Sequence, residues 1–232
     1  MRLGVEGVKV PNETPYNPLD IDHLGESVAE ALLRRSVVAL SDLQPFNGAG
    51  VYAIYYTGEN LPFEPYAQLA NVNATGAFEM PIYVGKAVPS GARKGRRVLT
   101  APGPALFKRL SEHVQSITQA QNLALMDFHC RYLVVADIWI PLGESLLIER
   151  FSPLWNVVVD GFGNHDPGSG RGAGQRPMWD TIHPGRPWAE RLAPNRRSEE
   201  AILEMVRAAL GGGPAEQLPI DAQVAEADSD QC

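Results

Sequence analysis

The sequence predicts an α+β fold on three observations. Short runs dense in β-branched and aromatic residues occur at 50–56 ("GVYAIYY"), 81–87 ("PIYVGKA") and 132–140 ("YLVVADIWI"), the last being the clearest strand. Helical patterns lie between and around them: Ile21, Leu24, Val28, Ala31 and Leu32 recur at helical spacing, as do Leu106, Leu110 and Val114 at intervals of four. Hydrophobic residues make up 44% and charged residues 20% of the 232 positions, which is ample apolar material for one core with additions.

In chain order, the Pro- and Asn-rich residues 1–18 predict an extended arm, and "LDIDHLGESVAEALLRRSVVAL" (19–40) a helix. Strands are expected near 50–57 and 80–86, separated by the long insertion 58–80. The basic stretch "KAVPSGARKGRRVLTAPGP" leads into a helix expected over 104–121. After the strand at 132–140 a short helix is expected at "GESLLIERF", then "LWNVVVDGF". From Gly161 the text is loop-like until "SEEAILEMVRAAL", where Ser198 can cap a helix and Glu199 and Glu200 suit its positive end. The last twenty or so residues, rich in Gly, Ala and acids, are expected to be disordered.

Composition removes several classes of function. No stretch is long and apolar enough to span a membrane, and residues 1–18 lack the apolar core of a signal peptide. Cys130 and Cys232 form neither a disulfide framework nor a CxxC metal site, which points to a reducing cytoplasm. The net charge of −7 argues against nucleic acid only until it is mapped. Residues 198–232 hold eight acids and one base, whereas 86–197 hold fifteen Lys or Arg against nine Asp or Glu. A polyanion responds to that local basic excess, not to the total.

The ordered set "GVY", "YVG", Arg109, Glu144 and, twelve positions on, Asn156 in "GESLLIERFSPLWN" resembles the GIY-YIG nucleases over about residues 48–160. The wide separation of Tyr52 and Tyr83, His113 four residues after Arg109, and "GNHDPGSGR" and "WDTIHPGRPW" downstream resemble the type II restriction branch, in particular the enzymes that cut CCGCGG. The resemblance implies a small antiparallel three-stranded sheet flanked by helices, elaborated by an N-terminal helix, a long insertion loop and a C-terminal extension. On this reading residues 1–47 are an N-terminal arm and helix, 48–160 the catalytic core, 161–210 a DNA-binding extension with a final helix, and 211–232 an acidic tail.

Elementary chemistry assigns roles to the same residues. Phosphodiester hydrolysis needs an activated water, charge stabilisation and help for the leaving oxygen. A helix puts Arg109 and His113 on one face, a guanidinium for the phosphate beside an imidazole that can move a proton. Strand alternation sends Tyr83 and Gly85 to one face and Lys86 to the other unless the strand ends there; Lys86 is expected at the strand end, where it can turn to the phosphate, and Gly85 allows close backbone approach. Glu144 has no second acid beside it, so one Mg²⁺ per site, with Mn²⁺ as an accepted substitute, held by this carboxylate and the DNA is the economical metal site. Deprotonating a free tyrosine at neutral pH costs about 4 kcal/mol, so the base stays open among Tyr52, His113 and the metal's water shell. Asn156 is expected to be a structural hydrogen-bonding partner. Tyr55 and Tyr56 are expected to pack.

Arg93, Lys94, Arg96 and Arg97 are expected to clamp phosphates, and Arg171, Arg176 and Arg186 to offer bidentate contacts to guanine edges. "GSGRGAG" lacks the strand, helix and GKS or GKT of a nucleotide loop, and His165, Asp166, Asp180 and His183 match no metal-ligand spacing. The expected activity is Mg²⁺-dependent cleavage of double-stranded DNA at a GC-rich palindrome, CCGCGG with a 3′ overhang, by a homodimer on DNA. A cognate methyltransferase is expected as functional partner. The rival readings are a GIY-YIG repair or mobile-element nuclease of looser specificity, and a DNA-binding module without catalysis.

Overall fold

Strand β2 (Gly50–Tyr56) is buried along its whole length, which is why its sequence lacks the alternation of a half-solvated strand. The computed structural model describes residues 17, 20–74, 76–89, 103–166, 168 and 174–211. In it β2 lies between β3 (Tyr83–Ala87) and β4 (Phe128–Val134), and the short β1 (Val38–Ala39) pairs with the other side of β4. The order is β1-β4-β2-β3 and every pairing is antiparallel.

The sheet therefore has four strands where three are expected. Helix α1 covers Ile21–Leu33 only, and the β-branched run that follows leaves the helical pattern to make β1. The strand expected at 132–140 also lies earlier. Its seven residues run from Phe128 opposite Tyr56 to Val134 opposite Gly50, and beyond Val134 β2 offers no partner. Asp137–Trp139 is instead a 3-10 turn, and α4 (Ile140–Phe151) follows with Pro141 in its first turn, where the missing N–H costs nothing.

Helices cover both faces of the sheet. On one, Val51, Ala53, Tyr55 and Val84 pack with Ala29 and Leu32 of α1 and Ile140 and Leu147 of α4. Gly25 lies against Leu146, and Gly143 against Val28, so α1 and α4 approach closely and α4 is fixed along the sheet. On the other face, Tyr52, Ile54 and Tyr56 pack under α3 (Ala105–Gln119) through Leu106, Leu110 and Ile117. The buried positions of α3, 106, 110, 113 and 117, follow a 3.6-residue period that brings in His113 and leaves Val114 half-buried.

The insertion is folded. It holds a 3-10 turn (Glu64–Tyr66) and helix α2 (Ala67–Asn73), and two buried polar side chains satisfy its backbone. Asp127 accepts from Asn60 N (2.6 Å), Asn60 Nδ2 (2.8 Å) and Leu61 N (2.8 Å). Asn73 donates to the carbonyls of Tyr56 (3.1 Å) and Met80 (2.9 Å).

Residues 154–210 add four helices: α5 (Leu154–Val157), α6 (Met178–Ile182), α7 (Pro187–Glu190) and α8 (Glu199–Leu210). The segment that reads as loop from Gly161 thus contains two short helices. Ser198 caps α8 as expected, its Oγ accepting from Ala201 N at 3.3 Å. A buried chain of hydrogen bonds ties these helices to the insertion: Trp155 Nε1 donates to Tyr66 Oη (2.9 Å), Tyr66 Oη meets His183 Nε2 (2.7 Å), and His183 Nδ1 meets Asn122 Oδ1 (2.8 Å). The Asn122 oxygen can only accept, so His183 carries its proton on Nδ1 and accepts from Tyr66 at Nε2.

Burial, with the Arg186 charge nearby, pulls the His183 pKa down to about 3. A histidine depressed in the folded state contributes stability that is complete above about pH 6.5 and is lost as pH falls towards 3. We expect unfolding free energy to fall by up to about 1.4 kcal/mol per pH unit through this residue alone below pH 6.5. Urea midpoints measured from pH 7 to 4.5 on the wild type and on His183→Gln check it: the variant starts less stable and shows a shallower slope. Equal slopes contradict the assignment.

Among the described residues no helix is long and apolar enough to cross a membrane. Residues 1–16, 18 and 19 of the expected arm and helix, 90–102 of the basic stretch and 212–232 of the expected tail lie outside the described residues.

Candidate active site

Four of the expected site residues meet on the α3 face of the sheet. Arg109 and His113 share one side of α3, and His113 is buried against the sheet. Tyr52 Oη and His113 Nε2 are 2.5 Å apart. The Tyr83 ring lies 6.2 Å from that of Tyr52 and 5.2 Å from that of His113, and Phe162 stacks on the imidazole at 4.5 Å.

Gly85 explains how Tyr52 reaches the sheet edge. It stands opposite Tyr52 in the β2–β3 register, and a Cβ there would come within 2.4 Å of the Tyr52 hydroxyl. The close approach expected at this glycine is thus made by the tyrosine of the neighbouring strand, and any side chain would displace it.

Lys86 and Glu144 approach from the opposite face. The strand does not end at Lys86 but runs on to Ala87, so alternation holds and Lys86 projects on the α4 side. Its Nζ is 2.5 Å from Glu144 Oε2, with the carboxylate 18% exposed. Glu144 raises the Tyr52 pKa as the smallest of its electrostatic influences, acting from the opposite face of the sheet. Asn156 holds the edge strand β3: its Nδ2 donates to Val84 O (2.8 Å) and its Oδ1 accepts from Val84 N (2.8 Å). Trp155 N adds a bond to Ile82 O (2.9 Å). Residues 155 and 156 give β3 partners that a further strand would otherwise supply.

The electrostatics keep the resting site uncharged around the imidazole. Burial, then the neighbouring Tyr83, raises the Tyr52 pKa well above the ordinary phenol value against the lowering effect of Arg109. Burial, then the Arg109 charge, lowers the His113 pKa well below that of a free imidazole. Burial opposes the Arg109 charge, yet Tyr52, Tyr83 and Glu112 leave the guanidinium more firmly protonated than usual. The site is a neutral hydrogen-bonded phenol–imidazole pair beside a permanent cation.

Sequence reasoning missed how Arg109 is held. Its Nη1 bonds Glu112 Oε2 (3.2 Å) and contacts His165 Nε2, while Nη2 donates to Gly163 O (3.0 Å). Glu112 is signalled by its helical i,i+3 spacing from Arg109. Gly163 and His165 lie more than fifty positions away and carry no such signal. A Cβ on Gly163 would come within 2.9 Å of the Tyr83 hydroxyl and 3.1 Å of Arg109 Nη2, so this glycine fits directly against two site residues.

Arg93, Lys94, Arg96, Arg97 and Arg171 lie outside the described residues. Arg176 is half-buried and donates to the carbonyls of Ala189 and Glu190, both at 3.3 Å. Arg186 is inside the protein, 1% exposed, sandwiched between Trp179 and Trp188 and paired with Asp180. Its guanidinium is spent on internal partners, and its expected guanine contact is corrected to an internal role. Arg191, Arg196 and Arg197 are the exposed arginines just beyond it. Asp180 and His183 are likewise internal, while His165 and Asp166 are exposed.

Among the described residues no group of three or more His, Cys, Asp or Glu side chains is arranged to hold a metal ion. The donor set fits a hard cation that takes one protein carboxylate, from Glu144, and fills its other positions with water and phosphate oxygens.

A family model described as the Eco29kI GIY-YIG domain matches residues 44–210, a span that takes in β2, β3 and β4, the helices from α2 onward and the extension after residue 160, and leaves out α1 and β1. No curated protein matches the chain.

Proposed function

Because the chain belongs to the Eco29kI GIY-YIG family, a restriction endonuclease family, we propose that it is a type II restriction endonuclease acting on double-stranded DNA. The proposed target is a GC-rich palindrome, CCGCGG, cut to leave a 3′ overhang. The observation that carries the chemistry is the 2.5 Å contact between Tyr52 Oη and His113 Nε2 beside the Arg109 guanidinium.

Neither partner of that contact ionises on its own. Tyr52 holds its proton far above neutral pH, and His113 stays unprotonated far below it. The pair therefore works as a relay: Tyr52 takes a proton from the attacking water while passing its own to Nε2 of His113. The imidazolium so formed is unfavourable in the free protein, and the negative charge that builds on the phosphate offsets that cost. Arg109 lies next to both groups and neutralises the same charge. General acid–base help is worth about 10²–10⁴-fold, so charge stabilisation must supply much of the remainder. Glu144 would hold Mg²⁺, which when bound supplies Lewis-acid stabilisation of the non-bridging and leaving oxygens. Lys86 stands beside that carboxylate and can move from it to the phosphate.

One pocket cuts one strand, so cutting both strands of a palindrome calls for a two-fold homodimer on the DNA. A cognate methyltransferase protecting the host DNA and a cytoplasmic setting complete the proposal.

Incubating the purified chain with plasmid and Mg²⁺ tests it. Discrete fragments that vanish with EDTA are expected, and sequencing their ends reads site and stagger together. A smear or nicks would favour a repair or mobile-element nuclease, and intact plasmid that is nevertheless bound would favour an inactive DNA-binding module.

A further inference from the structure

The loop Gly161–His165 joins the extension to the catalytic arginine. Arg186 pins it from beneath by donating to the carbonyls of Gly161 (2.8 Å), Phe162 (3.1 Å) and Asn164 (3.2 Å). From above, the Gly163 carbonyl and the His165 ring both reach Arg109. Resting on the nuclease reading, we infer that His165 is a positioning residue for Arg109, its Nε2 accepting a hydrogen bond that, with Gly163 O and Glu112, sets the guanidinium plane for the scissile phosphate.

The donor chemistry leaves one arrangement. A guanidinium has five N–H groups and no acceptor, so the contact is a hydrogen bond only if His165 Nε2 carries a lone pair and the proton sits on Nδ1. A protonated ring would set two cations against each other. Glu112 Oε2 is 3.6 Å from the same Nε2, so a protonated His165 would turn to Glu112 and draw that carboxylate from Arg109. Two of the three Arg109 anchors then fail together. Among the described residues, the charged groups facing the ring include Arg109 and Glu112 from α3, Asp166 from its own loop, and Arg186 and Arg191 across a cleft of about 290 Å³. The ring is half exposed on the cleft wall and buries little, so its contribution is to orientation more than to stability.

Single-turnover cleavage at saturating DNA, with DNA affinity measured in parallel, tests this. His165→Ala is expected to slow cleavage about 10- to 100-fold, since small misplacements of a positioned group cost that much. DNA affinity should change less than about threefold and the melting temperature should hold. His165→Gln places a carbonyl acceptor where Nε2 stood and should restore most of the rate. Wild-type cleavage by His165→Ala, or a Gln variant as slow as the Ala variant, overturns the inference and leaves the nuclease reading intact. A wild-type chain that cuts no DNA with Mg²⁺ or Mn²⁺ overturns both, and that control is read before either variant.

Discussion

Glu144→Gln is expected to lower Mg²⁺-dependent DNA cleavage by about 10³-fold or more while leaving fold and DNA binding intact, because a metal acting as Lewis acid supplies several kcal/mol of charge stabilisation. The substitution keeps the shape of the side chain and removes the carboxylate that pairs with Lys86 of β3. Its partner Lys86 is 42% exposed, so the lost ion pair is worth at most about 1 kcal/mol. Removing a negative charge from a site that receives a phosphate cannot weaken binding electrostatically. DNA affinity measured in chelator should be unchanged or tighter, since Lys86 then turns its full charge to the backbone. Cleavage within tenfold of wild type would contradict the metal-ligand role. Loss of binding and melting temperature in step with cleavage would make Glu144 a residue of the fold instead.

The parts of this protein that were legible in the sequence are those whose causes are local. "GVYAIYY" and "YVGKA" announce strands because β-branched and aromatic side chains fit a pleated, covered surface. Arg109 and His113 share a face because a helix imposes it. What was not legible depends on distant packing. Strand β1 is two residues long and exists because β4 offers it an edge. Asn156 was expected to hold a structural hydrogen bond, but that its partner is the free edge of β3 follows only from the topology. Arg186 was misread for a clear reason. Composition cannot distinguish an arginine held out to DNA from one turned inward, and Asp180, six residues earlier, stands at no helical spacing that would mark it as the partner.

That inward arginine carries the second large effect. All five guanidinium N–H groups of Arg186 are used: Nε and Nη2 on Asp180, Nη2 also on Gly161 O, and Nη1 on the carbonyls of Phe162 and Asn164. Arg186→Ala leaves the buried Asp180 carboxylate without its cation and those carbonyls without donors, and should cost about 3–5 kcal/mol of unfolding free energy. The pH dependence separates this from simple loss of packing. Burial already raises the Asp180 pKa, with Arg186 opposing the rise. Without the arginine it rises further, and a carboxyl raised in the folded state destabilises less as pH falls. The deficit between variant and wild type should therefore shrink from pH 7 to pH 5, and losing the Arg186 charge acts in the same direction on His183, which is then less depressed. Pairing Arg186→Met with Asp180→Leu removes both charges and should recover part of the loss. The remainder measures the stranded Gly161 and Phe162 carbonyls, each costing about 1–3 kcal/mol if left dry. An Arg186→Ala variant within about 1 kcal/mol of wild type in urea, at most about a third of the loss expected for a broken buried pair, would contradict the internal role. If the role holds, folded Arg186 variants should also cleave slowly, because Gly163 and His165 are then no longer held against Arg109.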